Sequence, residues 1–255
     1  PVVRGKMDFL RVDSLTTLPS GDQRITFGET FTETLDNTIL PESLRELRFG
    51  FAFNQSLDDT TLPSGLEKLI FGRGFNQSLD NTTLPSGLRS LTFSDLFDRP
   101  LDNARLPCRL SSIIFGYAFN SSLDCTLPAS IRDLSFGTLD EVGVRWSFFS
   151  QSLDNTVLPS NLHTLNFGAA FNQSLGNLPS GLRVLRFDIM FNQNLDNTTL
   201  PSGLQTLVFG RNFNQSLDNT VLPHGLLHLK FGNGYNQKLG ILPSGTSVLF
   251  DGEWF

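Results

Sequence analysis

Several residue types are nearly missing from this chain. Its 255 residues include two cysteines, two methionines, two tryptophans, two tyrosines and three histidines. Cys108 and Cys125 are too few for a disulfide framework. They fall four positions apart when neighbouring segments are aligned, which does not favour a bridge. His163, His224 and His228 are scattered; the last two straddle a turn and a strand instead of sharing a helix face, so no metal site is assigned. No run of 18 apolar residues occurs, which excludes a bilayer-spanning helix. The formal charge of −6 lacks the basic footprint of a nucleic-acid binder. There is no glycine-rich phosphate loop, nucleophile elbow or Cys–His pair in register. No catalytic residue and no cofactor is therefore assigned, and the chain is not read as an enzyme.

What the chain has in excess is phenylalanine, 24 residues of it, which points to one short pattern copied many times. A Leu-Pro dipeptide sets the register, with prolines at 19, 41, 63, 85, 107, 128, 159, 179, 201, 223 and 243. A Phe follows each proline by eight residues (seven in the last copy), from Phe27 and Phe49 through to Phe250. A second aromatic column starts at Phe31 and Phe53 and ends at Tyr235. The best-preserved unit is FNQSLDNTTLPSGLQTLVFG, which Phe191–Gly210 matches with one change.

In Leu44-Arg45-Glu46-Leu47-Arg48-Phe49, Leu47 and Phe49 point one way and Glu46 and Arg48 the other. That is a short strand with one buried face, and its recurrence predicts parallel strands stacked at about 4.8 Å. The rest of each unit is too short for an average helix. A one-turn helical or 3₁₀ piece is expected at Phe-Asn-Gln-Ser-Leu, a tight bend at Asp-Asn-Thr and a conformationally permissive Gly at the corner after the strand. The predicted fold is a mainly β repeat solenoid spanning residues 1–255 as a single domain. It is a right-handed coil of about eleven turns of 20–22 residues, interrupted by an insertion at 138–148. One turn offers about six core side chains, such as Leu40, Leu44, Leu47, Phe49, Phe53 and Leu57. Their burial is less than the entropy of ordering the turn, so stacking must supply the rest. Phe9 at one end and Trp254-Phe255 at the other are expected to need cover.

The pattern L-x-x-L-x-F-G-x-x-F-N-Q-x-L resembles the FNIP subgroup of leucine-rich repeats, close to the BspA-like kind. Phe-Asn-Gln-Ser stands where Phe-Asn-Ile-Pro gives that subgroup its name. The resemblance runs from about Phe9 to Phe250. It implies a non-catalytic protein–protein interaction scaffold. The wording of the repeats looks most like that of algal protists, which implies an accessory subunit of a larger, organellar or photosynthetic, assembly. The alternative is a secreted or cell-surface adhesion protein. An intracellular or organellar setting is expected over secretion.

Four columns carry candidate chemistry. The Asn column (Asn54, Asn76, Asn120, Asn172, Asn192, Asn214 and Asn236) is expected to point inward and bond the backbone of adjacent turns. That would bury the sequons at Asn54, Asn76, Asn120, Asn172 and Asn214, leaving those at Asn81 and Asn197 accessible. The Asp column, from Asp36 and Asp58 through Asp124 to Asp218, reads as Asx turns, with a calcium-binding edge as the alternative. A column of Thr pairs, such as Thr82-Thr83 and Thr198-Thr199, would suit ice or carbohydrate only as a flat exposed ladder. The strand-face column is basic: Arg24, Arg45, Arg48, Lys68, Arg89, Arg132, Arg183, Arg186 and Lys230 stand against Glu46, Glu67 and Asp133, a net +6 on an acidic chain. Such a face suits an acidic protein surface. The arginines expected to contact a partner are Arg45, Arg48, Arg89, Arg132, Arg183 and Arg186. Trp146 and Phe148 in the insertion either join them as an aromatic anchor or fold back on the convex side.

Overall fold

The computed structural model describes residues 10–15, 18, 21–123, 127–139 and 144–250. Phe9, Pro19, Asp124, Cys125, Trp254, Phe255 and the centre of the insertion, 140–143, lie outside the described residues.

Each Leu-x-Phe repeat supplies one short strand. In chain order these are β1 (Leu10–Val12), β2 (Arg24–Phe27), β3 (Glu46–Arg48), β4 (Lys68–Ile70), β5 (Ser90–Thr92), β6 (Ser112–Phe115) and β7 (Asp133–Phe136). After a two-stranded hairpin of β8 (Thr138–Leu139) and β9 (Arg145–Trp146) come β10 (Thr164–Asn166), β11 (Val184–Arg186), β12 (Thr206–Val208), β13 (His228–Phe231) and β14 (Ser247–Phe250). All but the hairpin form one 12-stranded sheet in sequence order, every pair parallel. The eleven phenylalanine registers each give one strand. β1 is a twelfth that the aromatic pattern missed, because Val12 takes the place of the column Phe and pairs with Phe27.

Register follows from the apolar set. Leu47 pairs with Leu69, Leu69 with Leu91 and Leu91 with Ile113, so every in-facing residue stacks on its own copy. A one-residue slip would turn that set outward. Leu40, Leu44, Leu47, Phe49, Phe53 and Leu57 are all buried. The two aromatic columns stack both within and between turns. Phe49 and Phe53 lie 3.9 Å apart, Phe49 and Phe71 5.6 Å, and Phe53 and Phe75 6.1 Å, with planes within 16° of parallel. Such pairs add about 0.5–1.5 kcal/mol each beyond their buried area.

The non-sheet part of a turn is closed by hydrogen-bonded bends, not by a helix. In the third register Phe53 N–H donates to Gly50 O (3.3 Å), Thr60 N–H to Leu57 O (3.1 Å) and Leu66 N–H to Pro63 O (3.0 Å). The bend at Asp-Asn-Thr forms as expected. The helical or 3₁₀ piece at Phe-Asn-Gln-Ser-Leu does not: those segments carry no helix among the described residues. In that segment the Phe amide closes on the residue three before it, as Phe75 does on Gly72, and the Asn76 amide takes the Asn54 side chain of the preceding turn. The strand entry holds a repeated bulge. Gln23 O accepts from both Arg45 N and Glu46 N, and Arg45 O from both Glu67 N and Lys68 N.

The glycines after the strands need a different explanation from the one the sequence suggested. Gly50, Gly72, Gly116 and Gly210 do not have left-handed backbones. A Cβ on Gly72 would collide with the carbonyl oxygen of Gly50, and one on Gly50 with that of Gly28. Close approach of consecutive turns selects glycine here, and Gly137, where the hairpin departs, is the corner glycine with a positive φ of 83°.

Candidate functional site

The sheet face separates the six predicted arginines into two settings. Arg48 and Arg186 sit within strands, in the column that runs from Thr26 through Ile70 and Thr92 to Lys230. Arg45, Arg89, Arg132 and Arg183 sit at the bulge just before the strand and are exposed. Arg45 is held to its corner, its Nη1 donating to the carbonyls of Glu42 (3.2 Å) and Leu44 (3.1 Å).

Along the stack the charge falls into two clusters. The first surrounds Glu46, whose carboxylate lies 2.6 Å from Arg48 Nε and 3.9 Å from both Arg24 Nε and Lys68 Nζ. Glu46 is mostly covered, so three cations face solvent around one screened anion. The second brings Arg186 near Arg145, a residue from the hairpin that had no register to place it, with Arg183 at the entry of the same strand as Arg186 and Arg132 two strands away beside the exposed Asp133. Arg186 Nη1 donates to Asn166 Oδ1 at 3.4 Å, and Asn166 Nδ2 to Ser135 Oγ at 2.9 Å. Burial lowers the pKa of Arg186. Burial also lowers that of Arg145, against the opposing field of Asp188 and helped by the charge of Arg186. Both remain guanidinium ions at neutral pH. Between the clusters, Ser90, Thr92, Ser111, Ser112 and Ile114 leave the face uncharged except for Arg89 at the bulge.

The insertion is a hairpin pinned to the exit edge of the sheet. Thr138 pairs with Trp146 and Leu139 with Arg145, antiparallel. Asp188 Oδ2 accepts from Arg145 N–H at 2.7 Å, and Arg145 O accepts from Ala169 N–H at 2.9 Å. Arg145 Nη1 closes the base on Gly137 O at 2.9 Å. Asp188 stands where neighbouring turns carry Gly168 and Gly210, and it is buried. The extra residues are 138–146; Ser147 and Phe148 already belong to the ordinary turn, since Phe148 N–H donates to Tyr117 O and Ala170 N–H to Ser147 O. Trp146 and Phe148 are about half exposed, at 46% and 52%. Phe148 packs on Tyr117 with ring centroids 4.4 Å apart.

The Asn column does form a ladder, but on the outside. Asn54 Oδ1 accepts from Asn76 N–H (2.8 Å), Asn76 Oδ1 from Asp98 N–H (3.1 Å) and Asn192 Oδ1 from Asn214 N–H (2.9 Å). Each Asn follows an in-facing Phe, and the pleat sends successive side chains to opposite sides. The predicted burial of the Phe-Asn-Gln-Ser sequons is thus overturned: Asn54 is exposed and Asn76 half-buried. The sequence reading also missed the Gln column, whose amides brace the same ladder, as Gln77 does on Asn54 and Gln193 on Asn172. Asn81 and Asn197 are exposed at their bends.

The Asp column reverses the expected capping. Ser56 Oγ accepts from Asp58 N–H (3.1 Å) and Ser78 Oγ from Asp80 N–H (3.0 Å), while Asp58 Oδ1 accepts from Thr82 Oγ1 of the next turn (2.8 Å). Serine two residues earlier caps the bend because its short hydroxyl reaches the amide that the aspartate only carries. Among the described residues no three acidic, His or Cys side chains converge as metal ligands. Thr60, Thr82, Thr156 and Thr220 are buried, which removes the exposed Thr-pair ladder. Cys108 is exposed and free.

The same repeat is found by comparison. The FNIP Repeat family model matches residues 53–96, 97–139, 149–188 and 191–234, well over half of the chain. The chain belongs to the FNIP repeat family. Among solved structures, CroV588, described as a novel circular LRR protein, is 32% identical with a TM-score of 0.63. That match covers 94% of this chain and 41% of CroV588, so the chain spans about two fifths of that protein's length. YopM from Yersinia enterocolitica WA-314 is also similar, at 18% identity and a TM-score of 0.45, over 92% of this chain and 66% of YopM. No curated protein matches. FNIP repeats thus build a leucine-rich-repeat fold, one that generally serves as a non-enzymatic protein-interaction scaffold. Among the described residues no helix is long and apolar enough to cross a membrane.

Proposed function

We propose that this FNIP protein is an accessory or structural subunit that docks its sheet face on an acidic surface of a larger protein assembly. The observation that carries the reading is the pair of cationic clusters, one around Glu46 and one at Arg132, Arg183, Arg186 and Arg145, on a chain of net charge −6. The sheet backbone sets the strand arginines at fixed spacing, which lowers the cost of meeting a complementary surface. The algal character of the repeats suggests an organellar or photosynthetic complex as that assembly. The test is affinity purification of tagged chain from its host cells under native conditions. An acidic partner should co-purify with the natural chain and be lost with Arg45→Glu/Arg48→Glu or Arg183→Glu/Arg186→Glu. A partner retained by both charge-reversed chains rules the reading out.

A second reading, a secreted adhesion protein, is favoured by the exposed sequons at Asn81 and Asn197. A mass shift on treating native protein with an N-glycosidase supports it; unchanged mass removes it.

A further inference from the structure

The exit edge of the sheet carries an apolar ridge that the repeat does not dictate. Each turn places two residues there, between the glycine-column position after the strand's last Phe and the next in-facing aromatic. Toward the ends these are mostly polar or charged, such as Glu29-Thr30, Arg211-Asn212 and Asn233-Gly234. Phe51 is the exception, and Arg73 lies 5.6 Å over its ring. In the middle the character changes. Leu96, Tyr117 and Phe148 follow one another along the edge, Met190 comes one turn further on after Ala169-Ala170, and the pinned hairpin adds Trp146. All five are 37–52% exposed, against the near-complete burial of the core phenylalanines.

This ridge runs beside the second cationic cluster. Arg145 belongs to the same hairpin strand as Trp146, and Arg186 lies in the strand preceding Met190. Among the described residues at this junction the acidic group is Asp188, which is buried and engaged with the hairpin backbone.

We infer that the ridge and cluster together form a site for an acidic polypeptide segment carrying a large apolar side chain. The apolar residue seats on Trp146, Phe148 and Tyr117, while neighbouring carboxylates reach Arg186 and Arg183. Charge complementarity selects this occupant: an uncharged apolar segment leaves the arginines unanswered, and a basic one is repelled. Rigid aromatic side chains in a partly desolvated setting are the usual anchors of such contacts. The inference rests on the docking reading above and adds which end of the face holds the anchor.

The test is selection of displayed random peptides on the full chain, followed by fluorescence anisotropy with the synthetic winners. Selected peptides should combine Asp or Glu with a Trp, Phe or Leu. Trp146→Ala/Phe148→Ala should weaken them by roughly tenfold or more. Arg183→Gln/Arg186→Gln should weaken them roughly three- to tenfold, with a shallower dependence on salt. At Met190 the sign of charge should matter, Met190→Asp weakening the peptide and Met190→Lys not, a contrast that misfolding cannot produce. If the arginine pair matters and the aromatic pair does not, the ridge is overturned and the docking reading stands. If neither matters, or the winners are neutral or basic, both fall. Self-association that Trp146→Ala/Phe148→Ala abolishes would make the ridge a contact between copies and overturn the peptide site.

Discussion

The turns from β2 to β5 and the turn between β7 and β10 obey the same packing rules and differ in what they are free to do. In the first group each residue has a copy of itself above and below. Phe53 stacks on Phe75, Gly72 approaches Gly50, and Asn54 reaches Asn76. Most core positions are dictated by their neighbours, and what varies is mainly the outward strand positions and the two residues at the exit edge. In the second group the core continues without a break, Phe136 stacking on Phe149 at 3.8 Å and on Phe167 at 5.7 Å. The extra residues leave between Gly137 and Ser147, so the stack never registers the insertion. The hairpin is therefore not bound by the repeat's constraints, and it is where Trp146 and Arg145 occur.

That contrast gives a ranked set of expectations. The largest effect should come from the stack itself. Phe171→Ala empties a fully buried place between Phe149 and Phe191 and should cost about 3–5 kcal/mol in chemical denaturation. Next, Gly72→Ala forces a methyl into the backbone of the preceding turn, an overpacking of about 1–3 kcal/mol. Were its cost near zero, close approach would not be the reason for that glycine column. Asn192→Ala removes the acceptor for Asn214 N–H and Gln215 Nε2 and should lower stability by about 1 kcal/mol, since water reaches the edge. Asp188→Ala should act locally: hydrogen exchange at Arg145 N–H accelerates and Trp146 emission shifts, while the denaturation midpoint moves little. The smallest effect should follow from joining Gly137 directly to Ser147 with Asp188→Gly. This restores an ordinary turn and should leave stability within about 1 kcal/mol of the parent. A large loss there would show the hairpin to be part of the fold.

Much of the architecture was legible in advance. The Leu and Phe columns were read correctly as the core, because only one set of side chains can face inward at a period of two. The bend at Asp-Asn-Thr followed from turn chemistry. Two of the errors share a cause: each assigned a local partner to a group whose partner lies one turn away. A helical piece was expected at Phe-Asn-Gln-Ser-Leu, whereas the Asn76 amide donates to the Asn54 side chain of the preceding copy and Gln77 Nε2 donates to the Asn54 carbonyl. Asp58 was expected to cap its own bend and instead receives Thr82 from the following turn. β1 escaped notice because Val12 breaks the aromatic pattern while keeping an apolar side chain in the core.

The candidate site was half visible. The excess of Arg and Lys at outward strand positions could be counted, since period-two alternation fixes which way a strand residue points. Their division into two clusters could not, because it depends on which turns carry Ser and Thr at the same stacked positions.

The sequence alone determined the register, the inward set and the parallel stack, because a pattern repeated in near-constant steps has one way to bury its leucines and phenylalanines. Tertiary structure decided the rest. It turned the Asn column outward, made glycine a matter of distance between backbones, and brought Asp188 to the amide of Arg145, 43 residues away in the chain. Such pairs are set by packing between turns and by where an insertion folds back, and no periodicity in the chain encodes them.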